Sequence, residues 1–270
     1  MNERKREAIL AADFVRNLCP KLKLQDNLIG VILGTGWDVL QNRETREIPL
    51  SDIPGFNSLP ELDGHARVLS IGYIAGKLVI ALRGRIHLNE APNDPNITRM
   101  VRLQTEMLIE LGVKTLIVTS AVGSLSMMLK VGTIAIIDGF ITLYAPEMPL
   151  WAGEFCSPDD AISQELIKIA SDAQREEINT SIVSHVMLRG PFFEGRKYDK
   201  PLLAESGGKV VGMSMLPEAC VAALCGIKIL CLGFITNSMF EIHSHETNQA
   251  RAKKVSTHLG DYLIRIIRRI

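Results

Sequence analysis

Hydrophobic and polar positions alternate with two different periods along the chain. Residues 3–18 follow helical spacing, with Ile9, Phe14 and Leu18 as apolar positions, and predict an amphipathic surface helix that stops before Pro20. Short apolar runs bounded by glycine or polar residues predict buried strands. The predicted strands cover 28–33, 67–74, 77–84, 115–119, 133–138, 181–187, 209–212 and 227–234. Further helices are predicted over 98–112, 160–175, 199–206, 216–225 and 246–268, and irregular segments over 45–64 and 144–158.

The order of these elements indicates the fold class. Strands and helices alternate from end to end with no linker and no internal repeat, which favours one α/β domain over residues 1–270 with a mixed sheet. Ala75-Gly76 lies between two predicted strands and indicates a hairpin.

Composition and charge narrow the possible partners. Hydrophobic residues make up 47% of the chain, and 30 Lys+Arg balance 30 Asp+Glu, so the formal net charge is zero. A neutral chain lacks the basic footprint of a nucleic-acid-binding protein but is compatible with self-association. We expect no membrane span and no signal peptide. The odd number of cysteines, and the apolar runs that contain three of them, predict buried free thiols and therefore a reducing, cytoplasmic location: Cys19, Cys156, Cys220, Cys225 and Cys231.

The stretch 82–87 contains side chains that are well suited to bind an anion. Arg85 and His87 stand two apart at the end of a predicted strand, so their side chains are expected on the same face. A guanidinium and an imidazole that converge at a strand end suit a dianion such as phosphate. The alternative is a basic strand end that is solvated at the surface.

Five other strand ends resemble this one, because each passes from apolar residues to small or polar ones. They are 34–36, 119–124, 190–194, 211–214 and 234–237. Ligands of α/β folds tend to lie at such strand ends. The glycine-rich turn at 34–36 matches neither a dinucleotide fingerprint nor a Walker loop.

Several of these residues have two interpretations. Ser214 is a helix N-cap or an anion ligand. Phe193 and Glu194 are a core ring beside a surface charge, or a ring that stacks on a planar ligand beside an acceptor for its N–H groups. Asn237 caps a strand end or binds a ligand, and Met213 fills the core or faces a ligand.

Taken in order, these stretches resemble the trimeric purine nucleoside phosphorylase family. The matching motifs are LGTG, GHA at 64–66, GRIH, TSAVGSL, GPFFE, VGMSMLPE and ITN, which together span residues 33–237. The resemblance implies a single α/β domain around a mixed, partly barrelled β-sheet surrounded by helices. It implies reversible phosphorolysis of 6-oxopurine (deoxy)ribonucleosides, inosine and guanosine, to free base and (deoxy)ribose 1-phosphate. Such an enzyme is a pentosyltransferase of purine salvage that uses phosphate as co-substrate, with no metal and no organic cofactor.

The resemblance also implies roles for residues at matching positions. Phosphate would contact Thr35, His65, Arg85, His87, Ala121 and Ser214. The nucleoside would contact Phe193, Glu194, Met213, Asn237 and His245, with His87, Glu194 and Asn237 as the catalytic set. Phe155 would close the ribose pocket of a neighbouring subunit in a homotrimer, unless it packs on its own subunit.

The charges that develop when the glycosidic bond breaks explain why these groups suit these roles. Cleavage of the glycosidic bond leaves positive charge on the sugar, which a phosphate dianion stabilises and then captures. The departing purine gains electrons, and Asn237 can donate to O6 while it accepts from N7–H.

Three departures from the family pattern bear on substrate choice. Asn89 stands where a tyrosine is usual, Ser120 replaces an asparagine, and Gly195 replaces a hydroxyl residue. Lost ribose contacts would raise KM or change the sugar preference before they abolish the chemistry. Either His243 or His245 could face the sugar. The alternatives are therefore a 5′-methylthioadenosine phosphorylase and a catalytically weak nucleoside-binding homologue.

Overall fold

The computed structural model describes residues 3–24, 28–37, 40, 44–57, 67–91, 93–151, 153–190 and 192–270. Its strands are β1 (Leu28–Leu33), β2 (Thr45–Pro49), β3 (Val68–Ile74), β4 (Lys77–Arg83), β5 (Val113–Ser124), β6 (Ile134–Ile141), β7 (Thr180–Met187), β8 (Val210–Gly212) and β9 (Lys228–Asn237). Its α-helices are α1 (Glu3–Leu18), α2 (Pro95–Glu110), α3 (Gln164–Asp172), α4 (Asp199–Glu205), α5 (Leu216–Leu224), α6 (His245–Lys254) and α7 (Ser256–Arg269).

The strands form one mixed sheet that is partly closed. Their order is β2-β3-β4-β1-β5-β8-β7-β6-β9, and β5 also pairs with β9, so the last five strands form a ring. Parallel pairing joins β1 to β4 and β5, and β5 to β9, whereas β2, β3 and β4 are antiparallel neighbours. The predicted single α/β domain with a mixed, partly barrelled sheet is confirmed.

The core lies on both faces of this sheet. All six residues of β1 are buried, with Leu28 and Ile32 in one apolar cluster and Ile29, Val31 and Leu33 in the other. Alternate side chains of a strand point to opposite faces, so a strand covered on both sides is apolar throughout. This packing explains why β1 was recognisable as an uninterrupted apolar run.

Several predicted elements differ from the structure. The buried face of α1 consists of Ala8, Ala11, Ala12 and Val15. Of the predicted apolar positions, Ile9 and Phe14 are half-buried and Leu18 is exposed. The predicted irregular segment 45–64 contains β2, which pairs with β3. The strand predicted over 115–119 continues to Ser124, since it pairs with β9 as far as Gly123. The predicted helix 160–175 begins at Gln164, after a 3-10 turn over Pro158–Ala161.

Further differences concern the C-terminal helix and the cysteines. The predicted helix 246–268 is two helices that meet at Val255. All five cysteines are free thiols as predicted, but Cys225 is exposed and Cys156 is only half-buried, whereas all five were predicted to be buried. The hairpin at Ala75-Gly76 is confirmed, and both residues have positive φ as a tight hairpin turn demands. None of the helices in the described part of the chain is both long and apolar enough to cross a membrane.

Candidate active site

A cavity of about 470 Å³ lies where the carboxyl ends of β1, β5 and β9 meet the loops after β4 and β7. Parallel strands deliver their following loops to one edge of the sheet, which is where α/β proteins bind ligands. The cavity collects most of the predicted site residues: Thr35, Arg85, His87, Ala121, Phe193, Glu194, Met213, Ser214, Asn237 and His245. Predicted ligand His65 lies outside the described residues.

Close backbone approach builds one wall of the cavity. Gly34 donates its N–H to the hydroxyl of Thr119 at 2.9 Å, and a Cβ at Gly34 would stand 2.4 Å from the Thr119 carbonyl oxygen. Only glycine fits such an approach without displacing the backbone. The turn after β1 is thereby held against β5, beside Ser120 and Ala121.

Arg85 and His87 reach the cavity by a route that differs from the prediction. The strand β4 ends at Arg83, and Gly84 has a φ of 82°, so neither residue lies on a strand face. The shared-face argument was therefore wrong, although both residues line the cavity. The positive φ at Gly84 turns the chain inward and carries Arg85 into the interior.

The Arg85 guanidinium is buried and ion-paired. Its Nη1 donates to Glu218 Oε1 at 2.9 Å, its Nη2 donates to the Thr119 carbonyl, and both side chains of the pair are 2% exposed. The alternative of a solvated basic strand end is excluded. Arg85 Nε and Glu218 Oε2 have no partner among the described residues. Glu218, on α5, was not singled out in the sequence, because its partner lies 133 positions away.

Hydroxyls lie at the same end of the cavity. The Ser214 hydroxyl lies 2.8 Å from the Ser120 hydroxyl. Ser214 is not the N-cap of α5, because the cap position is Met215, whose φ is 75°. A positive φ at a non-glycine residue is strained, and here it directs the Ser214 side chain to the cavity rather than to the helix end.

The other end of the cavity holds an amide and a carboxylate. Asn237 is 2% exposed, its Oδ1 accepts from the Thr236 hydroxyl at 3.1 Å, and its Nδ2 has no partner among the described residues. A Cβ at Gly123 would stand 2.9 Å from Asn237 Nδ2 and 3.3 Å from Glu194 Oε1. The amide and the carboxylate therefore both lie close against the Gly123 backbone, where a side chain at position 123 would displace them.

Aromatic and histidine side chains complete this end. The rings of Phe193 and His243 meet edge to face, with centroids 4.7 Å apart. Burial, followed by the nearby Lys200 ammonium, lowers the pKa of His243. Its Nδ1 lies 3.0 Å from the side-chain amide of Asn248.

Polar side chains line the cavity from α6 and from the loop after β4. His245 and Gln249 interact at 2.8 Å, and Asn248 is buried with its Oδ1 unpartnered in the described structure. Asn89 donates to the sulfur of Met213 at 3.3 Å and accepts from Gly190 N–H at 3.2 Å. Both His243 and His245 line the cavity, so both remain candidates for the residue that faces the sugar.

Phe155 is not part of the cavity of its own chain. Its side chain is 91% exposed, which rules out the alternative that it packs on its own subunit. No three His, Cys, Asp or Glu side chains in the described ranges are grouped so that they could share a metal ion.

Comparisons with known proteins show which family the chain belongs to. The family model described as Phosphorylase superfamily matches residues 28–270. The chain is 32% identical to purine nucleoside phosphorylase of Bos taurus over 227 residues, which cover 78% of this chain and 76% of that protein. It is 27% identical to purine nucleoside phosphorylase 1 of Bacillus subtilis over 270 residues, 96% of either chain.

A solved structure gives the same result for the fold. Isoform 2 of purine nucleoside phosphorylase from Schistosoma mansoni, in complex with cytosine and ribose-1-phosphate, aligns with a TM-score of 0.82 at 26% identity. The alignment covers 98% of this chain and 96% of that one. The chain thus belongs to the phosphorylase superfamily, within which it groups with the purine nucleoside phosphorylases. The predicted family resemblance is confirmed.

Proposed function

We propose that this chain is a purine nucleoside phosphorylase that cleaves 6-oxopurine nucleosides, inosine and guanosine, with phosphate. The observation that carries the proposal is the buried, unpartnered Nδ2 of Asn237 beside the Glu194 carboxylate in a cavity that also holds Arg85. A buried donor without a partner is costly unless a ligand satisfies it. Family membership supports the same activity.

One end of the cavity suits phosphate. We assign the dianion to Thr35, Arg85, His87, Ser214 and the backbone at Ala121, with His65 as a further expected ligand. Arg85 offers Nε, while its two terminal nitrogens stay on Glu218 and Thr119. The ion pair with Glu218 holds the guanidinium in one orientation, which reduces the entropy lost on phosphate binding.

The other end suits a 6-oxopurine. A 6-oxopurine carries N1–H and presents O6 as an acceptor, whereas adenine has a bare N1 and a 6-amino donor. Ionised Glu194 accepts from N1–H, Asn237 Nδ2 donates to O6, and Phe193 stacks on the ring. A site built for these bonds rejects a mismatched base strongly, because buried partners are left unpaired.

The mechanism needs no protein nucleophile. The phosphate dianion lies beneath the ribose, stabilises the positive charge that develops on the sugar and captures it as ribose 1-phosphate. His87 contacts that phosphate, and Asn237 stabilises the negative charge on the leaving purine. We propose phosphate as the co-substrate and neither a metal nor an organic cofactor.

The sugar region favours a nucleoside with a 5′-hydroxyl. Met213 and His245 are the proposed ribose contacts, and the side chains that α6 adds to the cavity are all polar: His245, Asn248 and Gln249. A 5′-methylthio group is apolar and would bury these amides without hydrogen bonds. This lining argues against the 5′-methylthioadenosine alternative.

We further propose a cytoplasmic homotrimer in which Phe155 closes the neighbour's ribose pocket. The support is the exposed ring of Phe155 in the loop after β6, together with the exposed Leu143 in the same loop. All five cysteines are free, which fits a reducing compartment. If Phe155 serves a neighbour, two inactive variants, Phe155→Ala and Asn237→Ala, should regain activity when co-assembled. An active monomer in light scattering would contradict the trimer.

The deciding experiment is turnover of inosine with and without phosphate. We expect hypoxanthine release that depends on phosphate, with adenosine and 5′-methylthioadenosine as poor substrates. Binding of inosine without turnover would favour the nucleoside-binding alternative, and faster turnover of 5′-methylthioadenosine would favour the other enzyme.

A further inference from the structure

Lys200 is a fully buried ammonium beside the base end of the cavity. It lies in the first turn of α4 and its side chain is 0% exposed. Buried lysines are rare unless their charge is paired. Lys200 Nζ lies 3.4 Å from Glu194 Oε1 and donates to the Ser238 carbonyl at 3.2 Å. The ammonium therefore contacts two segments at once.

The local chain path brings this charge back to Glu194. Gly195 N–H donates to Asp199 Oδ2 at 2.7 Å, and Lys200 N–H donates to the Gly195 carbonyl at 3.0 Å. These two bonds fold the segment after Glu194 into a turn that starts α4. The Lys200 side chain then returns along the turn to the carboxylate from which the segment departed.

The second contact joins this turn to β9. Ser238 follows Asn237 directly, so the carbonyl that Lys200 binds lies one residue beyond the amide proposed to hold O6. One ammonium thus links the Glu194 carboxylate to the residue that follows Asn237. Among the described residues, no other Lys or Arg side chain is found to contact both the Glu194 carboxylate and the Ser238 carbonyl.

We propose that Lys200 is a positioning residue for purine recognition, which rests on the proposed function. It holds the Glu194 carboxylate aimed at N1–H, and it fixes the distance between Glu194 and the end of β9. It touches neither phosphate nor sugar, because it is absent from the cavity lining. Its removal should therefore affect the base and spare the phosphate.

A double-mutant cycle tests this role. The variants are Lys200→Met, Lys200→Arg, Glu194→Gln and the combination of Glu194→Gln with Lys200→Met. Lys228→Met is the matched control, because Lys228 also pairs with a glutamate, Glu165, but is 63% exposed and far along β9 from Asn237. The readouts are KM for inosine, KM for phosphate, kcat, and hypoxanthine binding by calorimetry.

We expect Lys200→Met to raise the inosine KM and weaken hypoxanthine binding by about tenfold or more, with the phosphate KM within about twofold. Lys200→Arg should recover most of the loss. The combined variant should be no worse than Glu194→Gln alone, because Lys200 acts through Glu194. The combined variant leaves no unpaired buried charge, so it should fold even if Lys200→Met does not.

Other outcomes overturn the proposal. An unchanged inosine KM in folded Lys200→Met would show that Lys200 does not position the base site. The same conclusion would follow if the combined variant lost more activity than Glu194→Gln alone, or if Lys200→Met raised the phosphate KM as much as the inosine KM. Wild-type protein that binds hypoxanthine but does not cleave inosine would refute the proposed function and leave the cycle readable by calorimetry. Wild-type protein that does neither refutes both.

Discussion

The substitution Asn237→Ala separates a functional from a structural role for the buried amide. Asn237 Nδ2 bonds to nothing among the described residues, and the remaining bond of the side chain is the 3.1 Å contact with Thr236. Loss of that bond costs about 0.5–1.5 kcal/mol, and removal of a buried unpaired donor returns about 1–3 kcal/mol. We therefore expect the free energy of unfolding to stay within about 1 kcal/mol of wild type or to rise.

Activity should respond in the opposite way. Removal of one preorganised donor to a developing negative charge costs about 2.7–4 kcal/mol, which predicts a fall in kcat/KM for inosine of about 10²–10³-fold. The assay is inosine phosphorolysis at saturating phosphate, paired with urea unfolding of the same preparation. The matched control is Asn179→Ala, an exposed asparagine just before β7, which should change neither quantity.

The result that would refute this reasoning is a loss below about tenfold in a folded variant, since no transition-state donor would then have been removed. A loss of activity that merely follows a loss of stability would refute it equally. Asn237→Asp adds a direction to the test. A carboxylate beside Glu194 accepts and does not donate, so the inosine-to-adenosine ratio of kcat/KM should fall by about tenfold or more, and an unmoved ratio would contradict the base assignment.

Three more predictions follow from buried groups. Arg85→Ala should lower kcat/KM by about ten- to a thousand-fold with a higher phosphate KM; it should also destabilise the fold by about 3–5 kcal/mol because Glu218 stays buried and unpaired. Adding Glu218→Gln to Arg85→Ala should restore stability but not phosphate binding, and a wild-type phosphate KM in either variant would contradict the assignment of Arg85 to phosphate. Gly123→Ala should raise the KM for inosine and leave the phosphate KM unchanged, because its Cβ would stand 2.9 Å from Asn237 Nδ2 and displace that amide; Gly139→Ala, whose nearest neighbour would be 3.5 Å away, is the control, and an unchanged inosine KM would contradict the base assignment. Burial lowers the pKa of His185 from 6.5 to about 3, so its contribution to stability is present above pH 6.5 and is lost as pH falls; about 2 kcal/mol should disappear by pH 5 relative to His185→Leu, and parallel urea-midpoint profiles of the two proteins would contradict this.

Most elements of the fold were predictable from local patterns. The runs Leu28–Leu33 and 78–82 are apolar because apolar clusters pack on both faces of the sheet, and such runs are visible in the sequence itself. The strand β2 was missed because only Ile48 of its five residues is buried, so an edge strand leaves no apolar run to detect. The break at Val255 was missed because the helical period continues across it.

The candidate site also has a part that the sequence predicts and a part that only the tertiary structure shows. The sequence alone selected Arg85, His87, Glu194 and Asn237 as candidates, because polar side chains at the ends of apolar strands, in that order, resemble one family, and the structure places all four at one cavity. The tertiary structure alone decided that Arg85 is paired with Glu218 and that Lys200 joins Glu194 to the end of β9. These partners are distant along the chain or hidden within a turn. Whether a charge is solvated or buried against a partner depends on which segments the sheet brings together, and local spacing does not encode that.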